Sequence, residues 1–153
     1  MNGPSVLVTG AGGYLGSQLI AALAAGRINI GRIVAADVRE VPPERRLPGV
    51  EYVVADVRSP ALIKLFDRCK VDTVVHLASI VTPGKDSNRA FEYSVDVQGT
   101  ENVLIARTTT GVKKIVVSSS GAAYGYHADN PAWLTEDCPL RCNQAFEIGR
   151  AHV

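Results

Sequence analysis

Five short β-branched runs separated by helical patterns restrict what this chain can fold into more than any other feature of it. They are residues 5–9 (SVLVT), 32–37 (RIVAAD), 51–55 (EYVVA), 73–77 (TVVHL) and 114–118 (KIVVS). Continuous apolar runs of this length suit strands buried on both faces. Between the first two, Leu15, Leu19, Ile20 and Leu23 share one side of a helix that Gly26 can end. Residues 60–66 predict a shorter helix and residues 87–107 a longer one, whereas 41–49 (VPPERRLPG) reads as a surface connection between strands two and three. Parallel neighbours need crossovers, and crossover helices cover the faces of the sheet. The expected fold is therefore α/β, a doubly wound parallel sheet of Rossmann type.

Composition narrows the function classes. The 153 residues are 46% hydrophobic and 20% charged, enough for one core and so for one domain. A formal charge of +1 supplies no field for nucleic acid or an anionic membrane, and neither is an expected partner. Cys69, Cys138 and Cys142 form no CxxC pair, and the nearest histidines complete no familiar zinc spacing. Reduced thiols, no metal and a cytoplasmic location are expected. No apolar stretch is long enough to span a bilayer.

The loop TGAGGYLG at 9–16 lies between the first strand and the first helix. There the backbone N–H groups and the helix N-terminus can receive a pyrophosphate. Glycine permits a tight turn with positive φ and removes the β-carbon that would hold phosphates away from the backbone. Gly10, Gly13 and Gly16, with the amides of Tyr14 and Leu15, are the candidate phosphate contacts. Asp37 follows the second strand, 21 positions after Gly16, close to the separation of about 20 expected of a carboxylate that accepts hydrogen bonds from the adenosine ribose. Such a carboxylate repels a 2′-phosphate, so NAD is expected over NADP. Arg39, Arg45 and Arg46 could bind that phosphate if Asp37 turned away, or could be solvated loop charges. The loop lacks the Gly-Lys-Ser/Thr ending of a triphosphate-binding loop, which argues against an ATPase.

The loop spacing is Gly-x-x-Gly-x-x-Gly, and four further segments follow in order: 55–58 (ADVR), 75–79 (VHLAS), 95–100 (VDVQGT) and 117–125 (VSSSGAAYG). On these segments the sequence resembles the extended short-chain dehydrogenase/reductases, the NAD-dependent epimerase/dehydratase group, from its N-terminus to about residue 125. The resemblance implies adenine contacts at Asp56 and Val57, and a wall beside the ribose and pyrophosphate at Leu77 and Ala78. At position 96 many relatives carry Asn in support of the catalytic lysine. Asp96 would bring a negative charge there and reads as a solvated helix-surface residue. Ser120, at the carboxyl edge of the fifth strand, resembles the family residue that hydrogen-bonds the reacting hydroxyl or carbonyl, and Tyr124 a residue shaping the substrate pocket. A turn-stabilising hydroxyl and simple packing are the plainer roles for those two.

The resemblance also implies a Tyr-x-x-x-Lys pair that moves the proton. None occurs in this sequence. Phe146 and Arg150 have the spacing but not the chemistry, since Phe has no ionisable proton and Arg stays charged. Residues 147–153 (EIGRAHV) are what a common sequencing-adapter DNA, GAG ATC GGA AGA GCA CAC GTC followed by TGA, would encode. The expectation is a dinucleotide-binding domain over 1–146 and a read-through tail over 147–153, an N-terminal portion without a substrate domain. The parent would be an NAD-dependent enzyme acting on a nucleotide sugar or similar secondary alcohol, with a homodimer possible. Two alternatives stay open, a non-catalytic dinucleotide-binding regulator and an NADP-dependent reductase of steroid or flavonoid type.

Overall fold

The computed structural model describes residues 3–26, 28–80 and 88–141. Cys142, Phe146, Arg150 and the tail 147–153 lie outside the described residues. Five strands, β1 (Ser5–Thr9), β2 (Arg32–Asp37), β3 (Val50–Val54), β4 (Thr73–His76) and β5 (Lys114–Val117), form one all-parallel sheet in the order β3-β2-β1-β4-β5. The expected doubly wound topology is the one observed. The chain starts at the sheet centre, builds outward through β2 and β3, then returns across to β4 and β5. A crevice therefore opens between the carboxyl ends of β1 and β4, the place where such sheets bind ligands.

Helices connect the strands. α1 (Tyr14–Ala24) follows β1, and α2 (Ala61–Cys69) follows β3. β2 and β3 are joined by 41–49 with only a short 3-10 turn at Pro43–Arg45, as the proline-rich sequence predicts. The long helix expected over 87–107 is broken into α3 (Arg89–Tyr93), a π-helical turn (Ser94–Gln98) and α4 (Gly99–Thr110). Within it the Thr100 hydroxyl donates to the Asp96 carbonyl at 2.6 Å and the Ser94 hydroxyl to the Phe91 carbonyl at 2.7 Å. These side chains compete for the carbonyls that would hold a regular helix, which favours a local widening.

The faces of the sheet are unequal. Leu7, Val34 and Val74 point into a core closed by Leu62, Leu65 and Phe66 of α2 and by Val103 and Ala106 of α4. Val6, Val8, Ile33 and Ala35 point the other way, against Ile20 of α1. Among the described residues only β1 is buried throughout and β2 nearly so; β4 alternates buried and half-buried residues, and β3 and β5, at the edges, are half-exposed, contrary to the expectation for all five runs. Leu15 also departs from its expected place on the buried side of α1, because the first turn projects beyond the sheet edge and leaves it 60% exposed.

Candidate dinucleotide site

The register brings Thr9, Ala36, His76 and Val117 to one level, so β1, β2, β4 and β5 all release their chains at the same edge. At that edge a cleft of about 330 Å³ is lined by Gly10, Gly13, Asp37, Asp56, Val57, Leu77 and Ala78 among others. Its size falls within the range of about 300–1,000 Å³ usual for small-molecule sites. Seven of the residues singled out in the sequence thus meet in one place, although they come from four separate segments.

Two glycines are required by space as well as by handedness. Gly10 has φ +68°, and a β-carbon there would stand 2.7 Å from the Ala78 amide nitrogen. A β-carbon on Gly16 would collide with the Gly10 carbonyl and the Ala11 Cα. Gly16 thus lets α1 pack onto its own entry loop, and it does not line the cleft. The Tyr14 and Leu15 side chains are 81% and 60% exposed, so neither packs over the cleft. What these residues offer is the first-turn amides of α1, which have no carbonyl one turn earlier to bind.

Asp37 is buried and faces the loop. One carboxylate oxygen accepts from the Gly12 amide at 2.9 Å and the other from the Arg39 amide at 3.0 Å. Each oxygen keeps a further lone pair for a hydroxyl donor. The three arginines after it separate in the structure. Arg46 pairs with Glu40 at 2.8 Å, and Arg45 is exposed. Arg39 lines the cleft, with its Nε 3.8 Å from Asp37.

Asp56 is held by its neighbour. Arg58 donates Nε to both carboxylate oxygens at 3.0 and 3.1 Å and Nη2 to one of them at 2.6 Å, and its backbone amide adds a bond of 2.9 Å. These bonds, the side-chain ones foremost, hold the Asp56 carboxyl below its usual range. Val57 is buried against α4, where a β-carbon on Gly99 would come within 2.6 Å of it.

Beneath the loop, His76 is almost fully buried between two threonines. Its Nδ1 lies 2.7 Å from the Thr9 hydroxyl and its Nε2 3.0 Å from the Thr100 hydroxyl. Because Thr100 gives its proton to the Asp96 carbonyl, it accepts from His76 Nε2–H, and Thr9 donates to Nδ1. Thr9 Oγ1 in turn accepts from the amides of Leu77 and Ala78 at 3.3 and 3.4 Å. Burial lowers the imidazole from 6.5 to about 4, with the Asp96 charge opposing it. Sequence reasoning passed over His76 as part of a motif; a histidine amid β-branched residues, opposite a threonine in the neighbouring strand, was the available signal.

Asp96 corrects the surface reading. It is half-buried, and its Oδ1 accepts from the Ile80 amide at 2.9 Å, tying the strand-four loop to the π-helical turn. Ser120 lies beyond β5 as expected and does not line the cleft. Its Oγ accepts from the Ala122 amide at 3.3 Å and caps the 3-10 turn Gly121–Tyr124, in which Tyr124 is half-buried. Among the described residues no group of three or more His, Cys, Asp or Glu is arranged to hold a metal ion, Cys69 and Cys138 are free thiols, and no helix is long and apolar enough to cross a membrane.

Residues 6–153 match the family model described as the NAD dependent epimerase/dehydratase family. The chain belongs to that family. It is 30% identical over 155 residues to UDP-glucose 4-epimerase 2 of Arabidopsis thaliana, covering 93% of this chain and 43% of the relative. An uncharacterised protein of Mycobacterium bovis is 33% identical over 139 residues, with 89% of this chain and 37% of that one covered. Among solved structures, the Bordetella bronchiseptica enzyme WbmG in complex with NAD superposes with a TM-score of 0.80 at 26% identity, over 98% of this chain and 47% of that one. The Thermus thermophilus UDP-glucose 4-epimerase complex with NAD gives a TM-score of 0.78 at 26% identity, over 96% and 47%. This family member thus spans less than half the length of each of these proteins.

Proposed function

We propose that the chain is the NAD-binding half of an oxidoreductase or epimerase acting on a nucleotide sugar or a similar secondary alcohol. The observation that carries this reading is the pairing of the Gly10 turn with Asp37. The loop closes to within β-carbon distance of Ala78, and the carboxylate at the end of β2 is bonded to the same loop through Gly12. A pyrophosphate fits against the amides of Tyr14, Leu15 and Gly16, the ribose against Asp37, the adenine against Asp56 and Val57, with Leu77 and Ala78 as the wall. When bound, NAD supplies a nicotinamide that accepts and returns a hydride. Ser120 would hydrogen-bond the reacting hydroxyl, for which its proton remains free while its oxygen caps the turn. The NAD carried by the superposed WbmG and epimerase structures supports the cofactor assignment.

Because the chain has no Tyr-x-x-x-Lys pair, it is expected to bind the dinucleotide without turning over a sugar. Calorimetric titration with NAD and NADP tests the first part: tighter binding of NAD is expected, and preference for NADP or binding of neither would overturn it. Incubation with NAD and UDP-glucose tests the second, since any interconversion of the sugar would show a base elsewhere in the chain.

The proposal includes a domain over 1–146 and read-through over 147–153, in a cytoplasmic parent protein that could pair as a homodimer. The family model spans the last seven positions as well, so genomic resequencing decides. A reading frame that continues as EIGRAHV and stops would end the read-through idea.

A further inference from the structure

Asp56 would accept a hydrogen bond from an adenine amino group at the least entropic cost with its carboxylate held in one orientation, and it sits at the start of a solvent-facing turn, about one-third exposed. Such a group would ordinarily sample several rotamers. Here the guanidinium of Arg58 reaches both of its oxygens. The same guanidinium lies over the Phe91 ring, 5.1 Å from its centroid, and places Nη1 3.3 Å from the Ser94 hydroxyl. Arg58 thereby joins the end of β3 to α3 and the π-helical turn, with Asp56, Arg58 and Phe91 all lining the cleft. A planar guanidinium can bridge a carboxylate and stack on a ring at once, which a lysine cannot.

We propose that Arg58 is a positioning residue for base recognition: by clamping Asp56 and docking on Phe91, it makes the site select a purine with an amino group at C6 over one with a keto group. This rests on the cofactor reading above. An amino group donates to a fixed carboxylate, whereas a keto oxygen meets it as a second acceptor and is repelled. A carboxylate free to rotate away would lose that discrimination while the pyrophosphate and ribose contacts persisted.

The test uses the full 153-residue chain, titrated with NAD and with nicotinamide hypoxanthine dinucleotide. The unaltered chain is expected to prefer NAD by about tenfold or more, the equivalent of roughly 1.4 kcal/mol. In Arg58→Met, which keeps the aliphatic stem, the ratio should fall to within about threefold, chiefly through weaker NAD binding; in Arg58→Lys it should be intermediate. A variant that weakens both dinucleotides by one factor, leaving the ratio unchanged, would overturn the proposal. If Arg58→Met does not fold, the Arg58→Lys ratio decides alone. Asp56→Asn separates the two readings. If it shifts the ratio and the Arg58 variants do not, the cofactor reading stands and Arg58 is removed from it; if the unaltered chain binds neither dinucleotide, both fall.

Discussion

The two sides of the crevice are built to different standards. Over β1, β2 and β3, the loop, Asp37 and Asp56 are each fixed by at least two hydrogen bonds or by close backbone approach. At β5 itself Val116 is 55% exposed, and beyond the strand Ser120 caps a short turn and Trp133 is 88% exposed. The positions proposed to meet the cofactor are therefore set by backbone geometry within this domain. The positions assigned to chemistry are held instead by the local bonds of one 3-10 turn and by the Arg141 amide that bonds to it. The core shows a separate inequality, between the two faces of the sheet: among the described residues thirteen buried ones lie on the face covered by α2 and α4 and six on the face covered by α1.

Adding one methyl group on each side of the crevice gives the largest expected difference. Gly10→Ala meets the Ala78 amide and a left-handed backbone, so a loss of about 2–5 kcal/mol is expected from strain and overpacking together. In thermal denaturation that is a fall of roughly 10 °C, accompanied by loss of NAD binding. Gly121→Ala, where a β-carbon meets nothing within 4 Å, should change stability by less than about 0.5 kcal/mol. Equal effects would show that the two sides are equally constrained.

His76 supplies the next largest effect, through pH. Unfolded, the imidazole takes its ordinary value of 6.5, and folding lowers it to about 4. Between these values the unfolded chain binds a proton that the folded chain refuses. The His76 contribution is therefore complete above pH 6.5, declines as pH falls and levels off below about 4, for a total near 3 kcal/mol at roughly 1.4 kcal/mol per pH unit. Denaturant titrations at pH 7.5 and pH 4 should show the difference, and His76→Gln should flatten it.

The proposed cofactor contacts come third. Asp37→Ala removes an acceptor for the ribose hydroxyls and should weaken NAD binding about 10- to 100-fold by calorimetry, as befits hydrogen bonds to a charged group of about 1.5–3 kcal/mol. It should also narrow the preference over NADP, since Arg39 then lines the cleft without its acidic neighbour. The smallest effect belongs to Ser120→Ala. Loss of its cap costs about 0.5–1 kcal/mol, seen as a shift of a few degrees in thermal denaturation, and NAD affinity should change less than twofold. A large loss of NAD binding in Ser120→Ala would place it on the cofactor side of the comparison.

Much of the first side was legible in sequence because its determinants are local. The run at 32–37 has the same ends as β2, and the glycines lie where φ is positive or space is short. The runs at 73–77 and 114–118 each overshoot by one residue, since Leu77 and Ser118 turn into the carboxyl-edge loops, and 51–55 starts one residue late and ends one late. Asp96 and Arg58 were harder. Asp96 meets an amide 16 positions away, and Arg58 reaches Ser94, 36 positions on. No helical or strand period relates such pairs.

The sequence by itself determined the alternation of strands and helices, the parallel sheet, and the loop that must turn without β-carbons, because hydrophobic periodicity and backbone handedness act over a few residues. Tertiary structure alone decided which strands are edges and that Gly16 serves the packing of α1. It also decided that His76 stays neutral between Thr9 and Thr100, and that Asp56 is gripped by an arginine docked on Phe91. Those outcomes depend on burial and on contacts between distant segments, and both exist only once the sheet has assembled.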